Sequence, residues 1–327
     1  MPATPPDAIT GLARARADAR AARDFATADR LRAEIEAAGW KVVDRGTDFR
    51  LEPAHPPDLI DGTRMRYGAS SSVPSRLSEP ASVPATVLLV ATDWPDDLAR
   101  AFAGLRAHAP ARTEVVIVAD APATRQAEAL EAIEAAAGAE AAPEHPLDVI
   151  WTSARLGIAG AIDCGVRRAT GEVVIVLDTS LEPTSDCVTP LVTALADATV
   201  AVAGGWGVVS DDLRTFRDAP PGDVDAIEGS CQAFRRADFA QRGPLDERFR
   251  SHRNLAIWWS LVLRDEGEAM PPRRAVRTED LPLVRHEQRA SPGLPTAERD
   301  RLGKRDFYRL IDRFGSRRDL LVANRAG

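Results

Sequence analysis

The chain has 327 residues, a formal net charge of −7, 44% hydrophobic residues and 28% charged residues. This suits a soluble chain with one large domain and an appendage. The acidic balance gives no footing for general nucleic-acid binding, and no stretch reaches the ~20 apolar residues of a membrane helix. Cys164, Cys187 and Cys231 are too scattered for a disulfide framework or a CxxC zinc site. No signal-like apolar segment opens the chain, so a cytoplasmic protein with buried thiols is expected.

Between Gly11 and Ala38 there is no proline, and alanine, arginine and glutamate dominate. Leu12, Phe25, Ala28, Leu31 and Ile35 recur at helical spacing, Asp24 or Thr27 can start a second helix, and Gly39 can end it. Trp40–Asp44 and Asp48–Leu51 read as short strands about an Arg45-Gly46-Thr47 turn. Periodicity then fails, and Pro56-Pro57, Ser70-Ser71-Ser72, Pro74, Pro80 and Pro84 mark a linker. The expected organisation is a helical unit at 1–52, a linker at 53–83, an α/β domain at 84–290 and an amphipathic helix with tail at 291–327.

Strands predicted at Val87–Val90, Val115–Val118, Val149–Trp151 and Val173–Leu177 alternate with helices at Asp96–Ala107, Thr124–Ala137 and Gly157–Ala169. Continuous β-branched runs between helices imply a mostly parallel sheet covered on both faces. Ligands of such sheets bind beyond the carboxyl ends of the strands. That directs attention to Thr92, Asp93, Asp120, the Ser153–Gly157 turn and Asp178. Further on, Val200–Ala203 and Glu228–Phe234 read as strands. Arg235–Phe239 opens a short helix, and Ala256–Arg264 and Glu298–Phe314 read as longer ones.

Four stretches carry a family resemblance. They are Val115–Asp120; Leu156–Gly165 with Ala169–Val174; Leu177-Asp178-Thr179-Ser180-Leu181-Glu182-Pro183; and Gly229–Arg236 with Gly243–Phe249 and Leu261–Gly267. In this order, over residues 84–286, they resemble family 2 glycosyltransferases of the GT-A fold. The resemblance implies an α/β Rossmann-like sheet and transfer of a sugar from a nucleotide-diphosphate donor, with inversion. It implies that Thr92, Asp120, Arg155, Gly157, Asp163 and Asp178 bind the sugar donor. It also implies a divalent metal, Mg²⁺ or Mn²⁺, at Asp178, Ser180 and His286, which would offset the charge of the leaving diphosphate.

Two positions depart from the family pattern. Ser180 stands where the metal-binding aspartate is expected, and a hydroxyl is a weaker, neutral ligand. Ala256 stands about where the catalytic base is expected, and alanine cannot take a proton. Asp246 and Glu247 are the nearby carboxylates, either replacement bases or simply a turn and helix start. Asp120 either contacts the base or caps the next helix. Gly157, Gly160 and Gly165 can serve packing alone, and His286 can be a surface loop residue. Trp206, Trp258 and Trp259 are either platforms for an acceptor or core residues. Arg235 and Arg236 either meet phosphate or open a solvated helix.

Ala15–Arg32 together with Gly39–Asp44 resembles the C-terminal helical region of cysteinyl-tRNA synthetases, without that family's nucleotide motifs or zinc ligands. Residues 1–50 hold nine basic and eight acidic side chains, so a helical module for protein contacts is expected rather than a tRNA-binding one. Three functions follow. The first is a glycosyltransferase acting on a glycan, lipid or small-molecule acceptor. The second is a degenerate GT-A domain that binds nucleotide-sugar or acts as a scaffold. The third is a translation-linked RNA-binding protein.

Overall fold

The computed structural model describes residues 4–45, 48–91, 93–139, 144–287 and 296–324. The chain divides into two compact units, Met1–Ala69 and Ser70–Gly327.

In the first unit the helical segment is two helices, α1 (Asp7–Ala21) and α2 (Phe25–Ala37). The break comes from Arg23, whose φ of 61° leaves the helical region. Asp24 then caps α2, its carboxylate accepting from Thr27 N at 3.1 Å. Strands β1 (Trp40–Arg45) and β2 (Asp48–Pro53) pair antiparallel, and Gly46 and Thr47 of the expected turn lie outside the described residues. Ile9, Ala13 and Ile35 are buried with Leu12, Trp40, Val42, Phe49 and Leu51 packed against them. Phe25, assigned by its spacing to the apolar stripe, is 61% exposed at the start of α2. Buried Arg16 donates two hydrogen bonds to Asp44, at 2.8 and 3.1 Å, and fixes α1 to β1.

The segment expected as a linker is largely structured. Residues 59–67 form an antiparallel hairpin of β3 (Leu59–Asp61) and β4 (Arg64–Tyr67). Residues 70–83 belong to the second unit. Val73 is fully buried, Arg76 N donates to Arg167 O at 2.7 Å, and Ser82 N donates to Thr170 O at 3.0 Å. Backbone pairing with a folded neighbour, not side-chain periodicity, orders these residues, so their composition did not reveal it.

The second unit begins β5 (Val83–Ala91), α3 (Pro95–His108), β6 (Thr113–Ala119), α4 (Thr124–Gly138), β7 (Leu147–Thr152), α5 (Gly157–Arg168) and β8 (Gly171–Leu177). It continues with β9 (Leu181–Pro183), α6 (Val188–Ala196), β10 (Val200–Gly204), β11 (Gly207–Ser210), β12 (Phe216–Ala219), β13 (Gly222–Val224) and β14 (Ala226–Ile227). Last come β15 (Cys231–Arg235), α7 (Arg236–Arg242), α8 (His252–Arg264), β16 (Arg274–Arg277), β17 (Leu283–Arg285) and α9 (Thr296–Phe314). The main sheet of this unit runs β13-β16-β10-β15-β8-β5-β6-β7. Strands β8, β5, β6 and β7 are mutually parallel, as the alternation predicts, and β15 enters antiparallel to β8 and β10.

Side-chain alternation along β5 divides the core. Val87 and Leu89 share a buried cluster with Leu98 and Leu105 of α3, Leu130 of α4 and Leu191 of α6. Leu88 points to the other face, where Gly165 of α5 lies so close that a Cβ there would come within 2.1 Å of it. The sequence did not foresee the small sheet β12-β11-β14 or the β9–β17 pair. Their strands have two to four residues, too few for alternation to register.

Gly171 opens β8 where it meets β5. A Cβ there would stand 2.3 Å from Thr86 N and 2.5 Å from Ala85 C, both backbone atoms of the central sheet. We predict that Gly171→Ala forces the two strands apart and costs about 1–3 kcal/mol. Thermal melting of the purified variant checks this, and an unchanged Tm contradicts it.

Candidate functional site

Because β5 to β8 are parallel, their carboxyl ends bring Asp93, Asp120, Thr152 and Asp178 to one edge of the sheet. Thr92 lies outside the described residues. Asp120 is buried and caps a helix, but not the next one in sequence. Its carboxylate accepts from Leu156 N at 2.7 Å, Gly157 N at 3.0 Å and Thr152 Oγ1 at 3.2 Å, closing the start of α5. Burial raises its pKa, and those donors work against the rise. Gly157 holds φ +83°, a conformation that L side chains rarely adopt, and its N–H is one of the donors to Asp120. Arg155 donates to Asp93 at 2.7 Å, and Asp93 also accepts from Ala123 N at 2.9 Å. Burial pushes Asp93 upward, but these two bonds outweigh it and hold the carboxyl below its usual range. Asp93, Arg155 and Asp120 thus form one rim, with the Asp93–Gln126 groove beside it.

Asp178 follows β8. Its Oδ1 accepts from Ser180 N at 2.8 Å and from Ser180 Oγ at 2.6 Å. Its Oδ2 lies 3.8 Å from His252 Nδ1. His286 comes close in backbone, its N donating to Ser180 O at 2.9 Å, but its ring turns to Glu182 at 2.7 Å. The expected Asp178, Ser180 and His286 ligand set is therefore not assembled. The serine hydroxyl donates to the carboxylate it was expected to assist, and the imidazole is engaged elsewhere. Among the described residues no group of three or more His, Cys, Asp or Glu is arranged to hold a metal ion. These side chains as placed do not fit a divalent cation.

The other expected site residues pack on or bond to partners in the surrounding structure. Asp163 is buried within α5, where its Oδ1 accepts from Leu245 N at 3.0 Å. Asp246 is held by Arg248 at 2.7–3.1 Å, and Glu247 accepts from Ser70 Oγ. Both carboxylates are engaged by these partners. Trp258 and Trp259 are buried, packing on Phe249 and on Phe234 and Phe239, which makes them core residues. Trp206 is half-buried, with the Arg285 guanidinium 4.1 Å above its ring. Arg235 and Arg236 donate to backbone carbonyls, Arg235 to Leu195, Asp197 and Val200, and Arg236 to Arg76, Glu79 and Ala169. Neither is free for phosphate. All three cysteines are buried, and burial pushes the Cys187 thiol up to about 12.

Sequence reasoning missed four residues here: His252, Glu228, Arg253 and Arg285. His252 lies one turn before Ala256 on α8, and both line a small cavity with Gln232, Leu255 and Trp259. Its imidazole packs on Gly229, where a Cβ would come within 2.8 Å of Nε2. Burial lowers its pKa, against the pull of Asp178 and Glu228. Glu228 lies between two guanidinium groups, Arg253 at 3.7 Å and Arg285 at 3.4 Å, and Arg285 also donates to Ser230 Oγ at 3.1 Å. One carboxylate between two cations leaves local positive charge beside Asp178. The only signal for these residues was adjacency, His252 to the Ala256 gap and Arg285 to His286.

A mostly parallel sheet with a polar rim at its carboxyl edge, entered by an antiparallel strand, defines a GT-A-type α/β domain. The model described as "Glycosyl transferase family 2" matches residues 86–250, half of the chain, and the chain belongs to that family. Among solved structures, the fold is similar to a mannosyltransferase from Pyrobaculum calidifontis in complex with GDP-Man and Mn²⁺. The identity is 18% and the TM-score 0.52, with 77% of this chain and 73% of that one covered. It is also similar to GalNAc-T7 with UDP, GalNAc and Mn²⁺, at 17% identity and a TM-score of 0.51, with 70% of this chain and 48% of that one covered. A cysteine–tRNA ligase of Opitutus terrae (strain DSM 11246 / JCM 15787 / PB90-1) is 55% identical over 49 residues, 15% of this chain and 11% of the ligase. The chain thus spans about a tenth of that relative. No helix among the described residues is long and apolar enough to cross a membrane.

Proposed function

We propose that the second unit is a nucleotide-sugar-dependent glycosyltransferase. The observation that carries the reading is the convergence of Asp178, His252, Arg253 and Arg285 at the carboxyl edge of the sheet. In this reading Asp120, Gly157 and Arg155 form the rim against which the nucleoside lies. Arg285 and Arg253 face the diphosphate and offset the charge that grows as it leaves. His252 is the group placed to take the acceptor proton, one turn from the position that Ala256 leaves without a carboxylate. Displacement at the anomeric carbon then proceeds with inversion, by family resemblance. The Mn²⁺ of the two similar structures belongs to those proteins.

The second reading is a degenerate domain that keeps the fold and binds without transfer. Ala256 and the Ser180 hydroxyl turned onto Asp178 favour it. The first unit, in either reading, is a helical module for protein contacts.

A thermal-shift panel of UDP-, GDP- and dTDP-sugars, each with and without Mn²⁺, tests sugar-donor binding. We expect one nucleotide class to raise Tm, and Arg285→Ala to reduce the rise. No shift with any member contradicts both readings.

A further inference from the structure

The Asp246–Ser251 segment and α9 enclose a cavity lined by Arg248, Arg250, Leu302, Arg305, Asp306 and Arg309. Four guanidinium groups thus share a lining with one carboxylate, in a chain whose net charge is −7. That carboxylate is fully committed. Asp306 is buried, its Oδ2 accepts from Arg250 N at 2.7 Å and Ser251 N at 2.6 Å, and its Oδ1 accepts from Arg309 at 3.0 Å. Arg248 is matched by Asp246. Glu247 directs its carboxylate away, to Ser70 and toward Gly160 of α5.

Two guanidiniums remain without a counter-charge among the described residues. Arg250 donates only to the neutral Glu247 carbonyl, at 2.9 Å. Arg305 is exposed and makes no ion pair among the described residues. The excess of two positive charges matches a phosphate monoester dianion, and paired guanidiniums suit its oxygens. The cavity also adjoins the site edge: Arg250 Nη1 lies 3.2 Å from where a Cβ of Gly157 would stand. Arg305 and Arg309 lie outside the family-matched segment, residues 86–250.

We propose that this cavity binds the phosphate monoester of the acceptor substrate. That the ligand is an acceptor rests on the glycosyl-transfer reading, whereas the anion site rests on the arginines alone. The phosphate can belong to a soluble molecule or to a lipid headgroup.

The test uses the full chain and two probes. Glycerol 1-phosphate is titrated by calorimetry, and vesicles of phosphatidylcholine with and without phosphatidic acid are assayed by sedimentation. We expect binding of at least one probe, weakened about tenfold in Arg305→Gln and further in Arg250→Gln/Arg305→Gln. Circular dichroism and Tm without ligand should be unchanged in Arg305→Gln, because that exposed side chain makes no hydrogen bond or ion pair among the described residues. Binding of phosphatidic-acid vesicles identifies a lipid source, and binding of glycerol 1-phosphate alone identifies a soluble one. Absence of binding to both, or equal binding by wild type and variants, overturns the proposal. Phosphate binding that fails in the variants while no nucleotide-sugar shifts Tm leaves the anion site standing and removes the transferase reading.

Discussion

Asp163→Asn is expected to stabilise the protein above neutral pH and to flatten its pH dependence. Asp163 is almost fully buried in α5, one oxygen accepts from Leu245 N, and the other has no hydrogen-bond partner among the described residues. Burial, with the Glu247 charge adding to it, raises the carboxyl to about 8. The folded state therefore holds a proton that the unfolded state releases near pH 4. Between about pH 4 and 8 the folded chain binds more protons than the unfolded one, so stability falls as pH rises across that window. Above it the charged, buried carboxylate costs on the order of 5 kcal/mol. Asparagine keeps an acceptor for Leu245 N and carries no charge. Urea unfolding from pH 5 to 9 should show the wild type losing stability with rising pH and the variant losing much less. Parallel curves would show that Asp163 does not titrate in this range.

His252→Ala is expected to lower sugar transfer by about 10²–10⁴-fold while leaving sugar-donor binding nearly intact. The imidazole borders Asp178 and shares a cavity with Ala256, and the described Asp246 and Glu247 are engaged by Arg248 and Ser70. A group that acts on the acceptor proton affects kcat with little effect on nucleotide affinity. Steady-state kinetics with the identified nucleotide-sugar measures this. An unchanged kcat removes His252 from the reaction, and a parallel loss of nucleotide affinity makes it a positioning residue.

Much of the fold was legible because the buried strands β5, β6 and β8 announce themselves as β-branched runs between helices. The parallel order then placed Asp120 and Asp178 at the carboxyl edge without knowledge of a single contact. The direction of a side chain was not legible. Asp163 lies in the stretch that resembles the family's motif, but its position on α5 turns it into the core. Trp258 and Trp259, which the sequence allows as acceptor platforms or core residues, are both buried because α8 is covered on several sides, by α7, α9 and β14 among others. His286 reaches the neighbourhood of Ser180 through its backbone, while the charge of Glu182 takes its ring. His252, Arg253 and Arg285 converge from α8 and β17, elements whose closeness no local pattern encodes. Residues 70–83 follow the same rule, since their order comes from Arg167 and Thr170, far along the chain.

The proposed function requires that the Asp178 edge support chemistry on a nucleotide-sugar. Mass spectrometry of nucleoside diphosphate release, from each sugar nucleotide with and without Mn²⁺, measures this for wild type and for Asp178→Ala. We predict time-dependent release from one nucleotide class by wild type and its loss in Asp178→Ala with the fold intact. Absence of release by wild type from every sugar nucleotide, or equal release by Asp178→Ala, would contradict that function.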